Sequence, residues 1–264
     1  MRITVFTSNQ PRHIALVYKL ASVADQVFAV LECKTNFPGK VADRIPKTPV
    51  MEEYFSHVLR AEEEVFGDLR FSPSNVTVLP IRAGDLSFIN LDTLKPALAS
   101  DHYVVFGSSY IKGDLVDFLV EHRAKNIHMG VSPYYRGNSC NFWALYDGRA
   151  DLVGSTIHML SKGLDSGGIL FHALPKEAPS SPFVLGMMAV RAAQTGLVNY
   201  LSSGEMDDMV PVVQTKELEF RYTRSVDFTD KVAQEFMDTR TIHYDHEDKF
   251  ENKDLSSYIR PYFT

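Results

Sequence analysis

The sequence predicts a mixed α/β chain with a doubly wound, mainly parallel sheet and a small C-terminal extension. Short apolar runs of strand length, such as residues 3–6 and 102–106, alternate with segments of helical apolar spacing, such as residues 113–123. Strand, helix and strand in this order predict parallel pairs joined by right-handed crossovers. Polar residues stand in and after the short run 125–128, and folds of this class bind ligands at the carboxyl ends of their strands.

The first half of the chain supplies most of the sheet. Strands are predicted at residues 3–6, 26–31, 76–80 and 102–106, with helices at 12–21, 49–66 and 91–98. Ser8 or Asn9 is expected to cap the first helix, because short polar side chains favour that position. The first turn contains no glycine, so it lacks the pattern through which a backbone approaches a dinucleotide pyrophosphate. A dinucleotide-dependent oxidoreductase is therefore disfavoured.

The chain is predicted to divide at residue 180 into a catalytic core, residues 1–180, and an extension, residues 181–264. The extension predicts a helix over residues 181–201, an extended piece near Val212 and a second helix over 231–237. Between them, Tyr222 and Arg224 fit either a base or phosphate contact or an aromatic strand at a sheet edge. Tyr258, Tyr262 and Phe263 predict that the chain end docks, either onto this chain or onto a partner subunit in a homodimer.

Composition excludes several classes of function. The 264 residues are 45% hydrophobic, enough for one sizeable core. The net charge of -6 and the lack of a basic stripe disfavour nucleic-acid binding. Cys33 and Cys140 are too few for a disulfide framework and lack metal-ligand spacing. No targeting segment and no apolar run of about 20 residues is found, so a cytoplasmic protein without metal or membrane contact is expected.

Two polar clusters have competing interpretations. Residues 34–48 read as a long loop whose cations, Lys34, Lys40, Arg44 and Lys47, would either attract a phosphate-bearing ligand or form a solvated surface. The tail carries His243, Asp245, His246 and Asp248, which suggests a metal site. Metal ligands need buried geometry, and a polar terminal segment does not provide it, so no metal is expected there.

The candidate catalytic residues are Asn126, His128 and Asp165. A histidine titrates near neutrality, an asparagine amide can donate to an oxyanion, and a carboxylate can orient an imidazole or relay a proton. Together they suit acyl transfer to an amine. No serine or cysteine stands in a nucleophile-elbow pattern, which favours direct attack by the acceptor over a covalent acyl-enzyme. Taken singly, each residue also fits a structural role as a satisfied polar group, a strand-end cap or a turn residue.

An ordered series of short motifs runs through this region. It consists of Asn126-Ile127-His128, Pro133, Arg136-Gly137, Trp143-Ala144-Leu145, Gly148, Gly154-Ser155-Thr156-Ile157-His158 and Leu164-Asp165-Ser166-Gly167-Gly168-Ile169. The series resembles the folate-dependent formyltransferases that use 10-formyltetrahydrofolate, over roughly the first two thirds of the chain. The departure lies just after the histidine, where the family usually shows a Ser-Leu-Leu-Pro-like run and this chain has Gly130-Val131-Ser132-Pro133.

The resemblance implies a Rossmann-like formyltransferase core and assigns roles within it. Asn126, His128 and Asp165 fall on the catalytic asparagine, histidine and aspartate of the family. The segment that lies along the folate would comprise Phe106, Gly107, Ser108, Tyr110, Ile111, Gly163 and Leu164. Candidate contacts of the acceptor substrate are Asn9, Arg12, Pro133, Tyr135, Arg136 and Gly137, with Arg136-Gly137 as either a loop support or an anion contact. His158 is expected to be a core residue facing the site, or else a partner of the catalytic residues.

The chemical class of the acceptor substrate is inferred by excluding other branches of the resembled family. The glycinamide-ribotide enzymes carry a glycine-rich phosphate loop in the first turn, which this chain lacks. The tRNA-modifying branch usually adds a nucleic-acid-binding barrel, whereas the segment HYDHEDKFENKD is acidic and would repel RNA phosphates. A nucleotide-linked amino sugar destined for surface polysaccharide, such as the O-antigen of lipopolysaccharide, is therefore expected. The alternatives are a methionyl-tRNA formyltransferase-like enzyme, a 10-formyltetrahydrofolate hydrolase and a folate-binding protein without activity.

Overall fold

The computed structural model describes residues 1–33, 48–69, 72–177, 179, 181–239 and 255–264. Two clusters from the sequence lie outside the described residues. These are the loop cations Lys34, Lys40, Arg44 and Lys47, and the tail residues His243, Asp245, His246 and Asp248.

The described residues form ten strands. They are β1 (Arg2–Ser8), β2 (Gln26–Cys33), β3 (Val76–Arg82), β4 (His102–Phe106), β5 (Lys125–His128), β6 (Tyr135–Gly137), β7 (Ser155–Met159), β8 (Ile169–Leu174), β9 (Arg221–Thr223) and β10 (Tyr262–Phe263). Eight of them build one sheet in the order β10-β8-β7-β5-β4-β1-β2-β3. β1 to β5 run parallel, and only β7 is antiparallel to its neighbours. The predicted mainly parallel, doubly wound sheet is confirmed.

Helices cover both faces of this sheet. They are α1 (Pro11–Ala21), α2 (Pro49–Phe66), α3 (Leu91–Leu94), α4 (Asp114–Glu121), α5 (Cys140–Tyr146), α6 (Pro182–Ser203), α7 (Glu205–Asp208) and α8 (Asp230–Thr239). α1 and α6 share one buried cluster with the sheet, while α4 belongs to the cluster on the other side. Strands buried on both faces read as continuous apolar runs, which is why β1, β2 and β4 were recognisable in the sequence.

The strand order predicts a crevice beyond the carboxyl ends of β1 and β4. From β3 to β5 the order is β3-β2-β1-β4-β5, so the direction of winding reverses between β1 and β4. Connections leave the sheet on opposite faces at such a point, and a crevice opens beyond the carboxyl ends of the strands. The start of α1, at Arg12, and the segment after β4 therefore border the same space.

Two local predictions in the first half are wrong. Neither Ser8 nor Asn9 caps the first helix: Gln10 is the N-cap residue without a side-chain hydrogen bond, and Ser8 Oγ instead bonds His13 Nδ1 at 2.7 Å. The helix predicted over residues 91–98 ends at Leu94. Pro96 explains the early end, because it has no N–H to donate to the carbonyl oxygen of Asp92 and so cannot continue the helical hydrogen bonds.

The C-terminal residues extend the core rather than stand apart from it. α6 begins at Pro182, as predicted, and packs against β7 and β8. β9 pairs in parallel with β6 in a separate two-stranded sheet, so the aromatic segment around Tyr222 forms a strand. β10 pairs with β8, which shows that the chain end docks onto this chain. The domain boundary at residue 180 stays a prediction. Within the described ranges, no helix is long and apolar enough to cross a membrane.

Candidate active site

The structure brings Asn126, His128 and Asp165 together. Asn126 and His128 lie on β5, and Asp165 lies in the connection between β7 and β8. His128 Nδ1 is 3.3 Å from Asp165 Oδ2, and Asn126 Nδ2 donates to Asp165 Oδ1 at 3.4 Å. Three polar side chains that are distant in sequence thus meet beside one strand, as the motif series predicts.

His158 is both a core residue and a direct partner of this group. β7 pairs antiparallel with β5, which sets His158 opposite Asn126. His158 Nδ1 lies 2.8 Å from the carbonyl oxygen of Met159, so this nitrogen carries the proton and Nε2 is left as an acceptor. Asn126 Nδ2 then donates to His158 Nε2 at 2.9 Å. The buried His158 therefore fixes the amide orientation of Asn126.

The Asp165 turn is held by a residue that sequence reasoning did not find. Asp165 adopts the left-handed region with φ of +47°, which is uncommon for a residue other than glycine. Gln214 Nε2 donates to the carbonyl oxygens of Asp165 and Gly167, both at 2.8 Å. Gly167 has no room for a side chain, because a Cβ there would lie 1.7 Å from the Met159 oxygen. No sequence signal links position 214 to this turn.

The charges of His128 and Asp165 support each other. Burial by itself lowers the pKa of His128, but the neighbouring Asp165 carboxylate and, to a lesser degree, Cys140 outweigh it, and the pKa of His128 is raised well above 6.5. Burial likewise raises the pKa of Asp165, yet the charge of His128 holds the pKa of that carboxyl far below its usual range. At neutral pH the pair is therefore an imidazolium beside a carboxylate.

A cavity of about 480 Å³ opens beside these residues, which is within the usual size range of small-molecule sites. Its wall contains Asn126, His128, Asp165 and all of the predicted folate-lining residues, namely Phe106, Gly107, Ser108, Tyr110, Ile111, Gly163 and Leu164. The segment after β4 and the segment before Asp165 thus face one space together with the catalytic group. Of the described residues, no set of three or more His, Cys, Asp or Glu is placed to hold a metal ion.

The candidate acceptor contacts separate into two sets. Arg12 and Gly137 line the cavity, and Arg12 is paired with the buried carboxylate of Glu62 at 2.8 Å. Asn9, Pro133, Tyr135 and Arg136 are not part of the cavity wall, so the cavity does not support them as acceptor contacts.

Tyr135 and Arg136 have structural partners instead. The Tyr135 hydroxyl donates to Asp147 Oδ2 at 3.1 Å. Arg136 pairs with Glu219 at 3.1 Å and also donates to the carbonyl oxygen of Leu164 at 3.5 Å. Of the two roles considered for Arg136, the contacts show the loop support.

Part of the cavity wall is formed by a cluster of aromatic side chains. The Tyr54 ring is surrounded at centroid distances of 5.0 to 6.5 Å by five phenylalanines, all in edge-on contact: Phe55, Phe142, Phe183, Phe228 and Phe236. All six rings line the cavity. In the sequence these residues read only as apolar helix stripes, because nothing local distinguishes an aromatic core residue from one at a cavity wall.

Comparisons with known proteins agree with the fold and the motifs. No protein-family model matches the chain. A methionyl-tRNA formyltransferase of Synechococcus sp. (strain JA-3-3Ab) is 31% identical over 122 residues, which is 45% of this chain and 37% of that protein. The chain thus spans well under half the length of this curated relative.

Solved structures extend the likeness over most of the chain. A 4-N formyltransferase from Francisella tularensis has a TM-score of 0.53 at 17% identity, covering 86% of this chain and 77% of its own. A sugar 3N-formyl transferase, crystallised in the presence of dTDP and 5-N-formyl-THF, has a TM-score of 0.51 at 13% identity, covering 87% and 71%. The fold is that of the formyltransferases, and the resemblance indicated by the motif series is confirmed.

Proposed function

We propose that this protein is an N-formyltransferase that moves a formyl group from 10-formyltetrahydrofolate to the primary amine of a nucleotide-linked amino sugar. The observation that carries the proposal is the meeting of Asn126, His128 and Asp165 in the wall of one cavity with the segment after β4. Similarity to formyltransferases in both sequence and fold supports the same chemistry.

The reaction joins an amine to a formyl carbon and releases the folate nitrogen. Attack by the amine forms a C–N bond and a tetrahedral intermediate with an oxyanion, and cleavage of the bond to N10 expels tetrahydrofolate. The amine loses one proton and N10 gains one, so no external acid or base is consumed. The residues must therefore stabilise the oxyanion and carry a proton between two nitrogens.

The charge state of the site assigns these tasks. The raised pKa of His128 keeps the imidazole protonated at neutral pH, which favours stabilising the oxyanion and donating a proton to N10. The imidazole left neutral by this donation then accepts the proton that the amine loses, which restores the starting state. Asn126 adds a second N–H donor, since its bond to Asp165 is long at 3.4 Å and can be exchanged for one to the oxyanion. Asp165 holds His128 in place and charged, which gives preorganised stabilisation without reorientation during the reaction.

Two observations support an amino-sugar acceptor. The two solved structures named above are a 4-N formyltransferase and a sugar 3N-formyl transferase. The aromatic wall around Tyr54 also offers a surface for the apolar face of a pyranose ring or for a base. Within the described residues, Arg12 is the cationic side chain of the cavity wall apart from the histidines, so it is our candidate for a contact with the diphosphate.

Formyl transfer against a panel of acceptors tests the proposal. The protein is incubated with 10-formyltetrahydrofolate and nucleotide-linked 3-amino and 4-amino sugars, and tetrahydrofolate release is measured together with the mass of the sugar product. We expect one sugar to gain one formyl group at a rate that rises with its concentration. Release of formate without any acceptor would indicate a hydrolase, and folate binding without turnover would indicate a binding protein.

A tRNA acceptor is the second candidate, because the matching curated relative is a methionyl-tRNA formyltransferase. Charged methionyl-tRNA belongs in the same panel for this reason. Formylation of the tRNA with no reaction on any sugar would replace the amino-sugar assignment.

A further inference from the structure

A buried carboxylate stands directly behind the segment proposed to line the folate. Glu32 lies near the end of β2 and is 3% exposed. Its Oε2 accepts the Ser109 N–H at 2.5 Å, and its Oε1 accepts the Ser109 hydroxyl at 2.7 Å and the Gly84 N–H at 2.8 Å. One side chain thus ties together the ends of β2, β3 and β4.

Burying the Glu32 carboxylate costs free energy. All three donors are uncharged, and a carboxylate removed from water must be compensated by hydrogen bonds of good geometry. Glu32 does not line the cavity, whereas Ser109 does. Because the N–H and the hydroxyl of Ser109 both bond Glu32, we infer that Glu32 restricts the conformation in which the backbone around Ser109 faces the cavity.

Gly107, two positions before Ser109, also lies against a buried side chain. Gly107 has φ of +63°, and a Cβ there would lie 2.3 Å from His13 Nε2. The His13 ring also contacts Phe106 edge-on at a centroid distance of 4.6 Å. His13 therefore packs against Phe106 and Gly107 at the start of residues 106–109, and Glu32 bonds Ser109 at their end.

We propose that Glu32 is a positioning residue that holds the Ser109 segment in the conformation that binds the formyl-folate. The inference rests on the proposed folate-dependent function. It adds a residue outside the cavity on which co-substrate affinity depends. Glutamine cannot replace it, since one of its two terminal atoms is an N–H donor and would face either the Ser109 N–H or the Gly84 N–H.

Binding of 5-formyltetrahydrofolate, measured by isothermal titration calorimetry on the full chain, tests the inference. We expect Glu32→Gln to weaken binding about tenfold or more, since hydrogen bonds to a charged acceptor are lost and a donor is left unpaired. Ser109→Ala removes only the hydroxyl bond and should weaken binding about threefold. Amide hydrogen exchange at Ser109 should accelerate in Glu32→Gln, whereas exchange in the core of β1 should not.

Glu62→Gln is the matched control for a buried carboxylate. Glu62 is 1% exposed and accepts from the N–H and the guanidinium of Arg12 rather than from Ser109, so its substitution should lower the melting temperature while leaving folate affinity unchanged. Equal affinity of wild type and a folded Glu32→Gln variant would overturn the inference. Should Glu32→Gln not fold, unchanged affinity of Ser109→Ala would overturn it. A wild-type protein that binds no formyl-folate would instead overturn the proposed function, and the inference with it.

Discussion

The protonation of His128 depends on its immediate neighbours. Burial of this side chain opposes its charge, and the Asp165 carboxylate 3.3 Å away contributes most to raising the pKa, followed by Cys140. Since the folded-state pKa lies above the unfolded value, the stabilisation from this contact is complete below about pH 6.5 and is lost as the pH rises through the raised folded value. Stability and the proposed catalytic role therefore both depend on the same ion pair.

Asp165→Asn should reverse the charge state of His128. Without the carboxylate, burial dominates and the pKa of His128 should fall below 6.5, so the ring becomes neutral at pH 7.5. Formyl transfer should drop by about a hundredfold or more, since a charged donor to the oxyanion is lost. An NMR titration of the His128 ring protons measures the pKa directly. A ring that stays protonated in this variant would contradict the assigned pairing.

Gly107→Ala should impair folate binding through the backbone. The φ of +63° is strained for alanine, and the new Cβ would lie 2.3 Å from His13 Nε2. We expect at least about a tenfold loss of 5-formyltetrahydrofolate affinity by calorimetry. Gly148→Ala is the control, because Gly148 also has a positive φ of +72° but nothing within 4 Å of its Cβ position and lies outside the cavity wall. That variant should lose about 1 kcal/mol of stability and keep its folate affinity.

Strand β8 connects the chain end to the sheet through a buried histidine. His172 Nδ1 accepts the Ile259 N–H at 2.9 Å, and Nε2 lies 2.8 Å from the Ser132 oxygen. The ring must be neutral for this pattern, because Nδ1 can accept only when it carries no proton. Burial lowers the pKa of His172 to about 4, in agreement with these contacts.

Acid should therefore loosen the docked C-terminal residues. The unfolded histidine binds a proton near pH 6.5 and the folded one only near pH 4, so stability falls as the pH drops between these values, by up to about 3 kcal/mol. Hydrogen exchange of residues 255–264, corrected for the intrinsic rate, should accelerate across this window. In His172→Gln the dependence should vanish. Constant protection of the wild-type segment from pH 7 to pH 4 would contradict the role of His172.

The hydrophobic core contains residues from both sides of the predicted boundary at residue 180. α6 packs against β7, β8 and α1, and its buried residues Val190, Ala193 and Leu197 share a cluster with Ile157 and Phe171 of the sheet. Removing everything after residue 180 would uncover these strands on the α6 side. Asp165 lies in the connection between β7 and β8, and Asn126 and His128 lie on β5, which pairs with β7.

A chain ended at residue 180 should accordingly fail to fold cooperatively. We expect it to aggregate or to bind a hydrophobic dye strongly, since a large apolar face of the sheet becomes exposed. Calorimetric melting alongside the full chain measures the difference. A soluble fragment with a sharp melting transition would show that the predicted division at 180 marks an independent domain.

The central sheet and the meeting of Asn126, His128 and Asp165 could be predicted from the sequence, and physical reasons explain why. β1, β4 and β5 are short apolar or strand-end runs between helices, and the ordered motifs tie Asn126, His128 and Asp165 to one chemistry. The supports of the site could not be found this way. Glu32 and Gln214 act on residues 77 and 49 positions away, and only the folded chain brings such partners into contact. Asn9 failed as a cap because a proline two residues later moved the helix start.

Gln214 has a consequence for engineering. Its amide holds the carbonyl oxygens of Asp165 and Gly167, although it lies about 50 residues after them in the sequence. A chimera that keeps residues 1–180 and borrows its remaining sequence from another formyltransferase would lose this tether, even if every active-site side chain were retained. Such a chimera would need an equivalent amide donor to the carbonyl oxygens of Asp165 and Gly167. Only then could a change in its acceptor preference be attributed to the borrowed sequence.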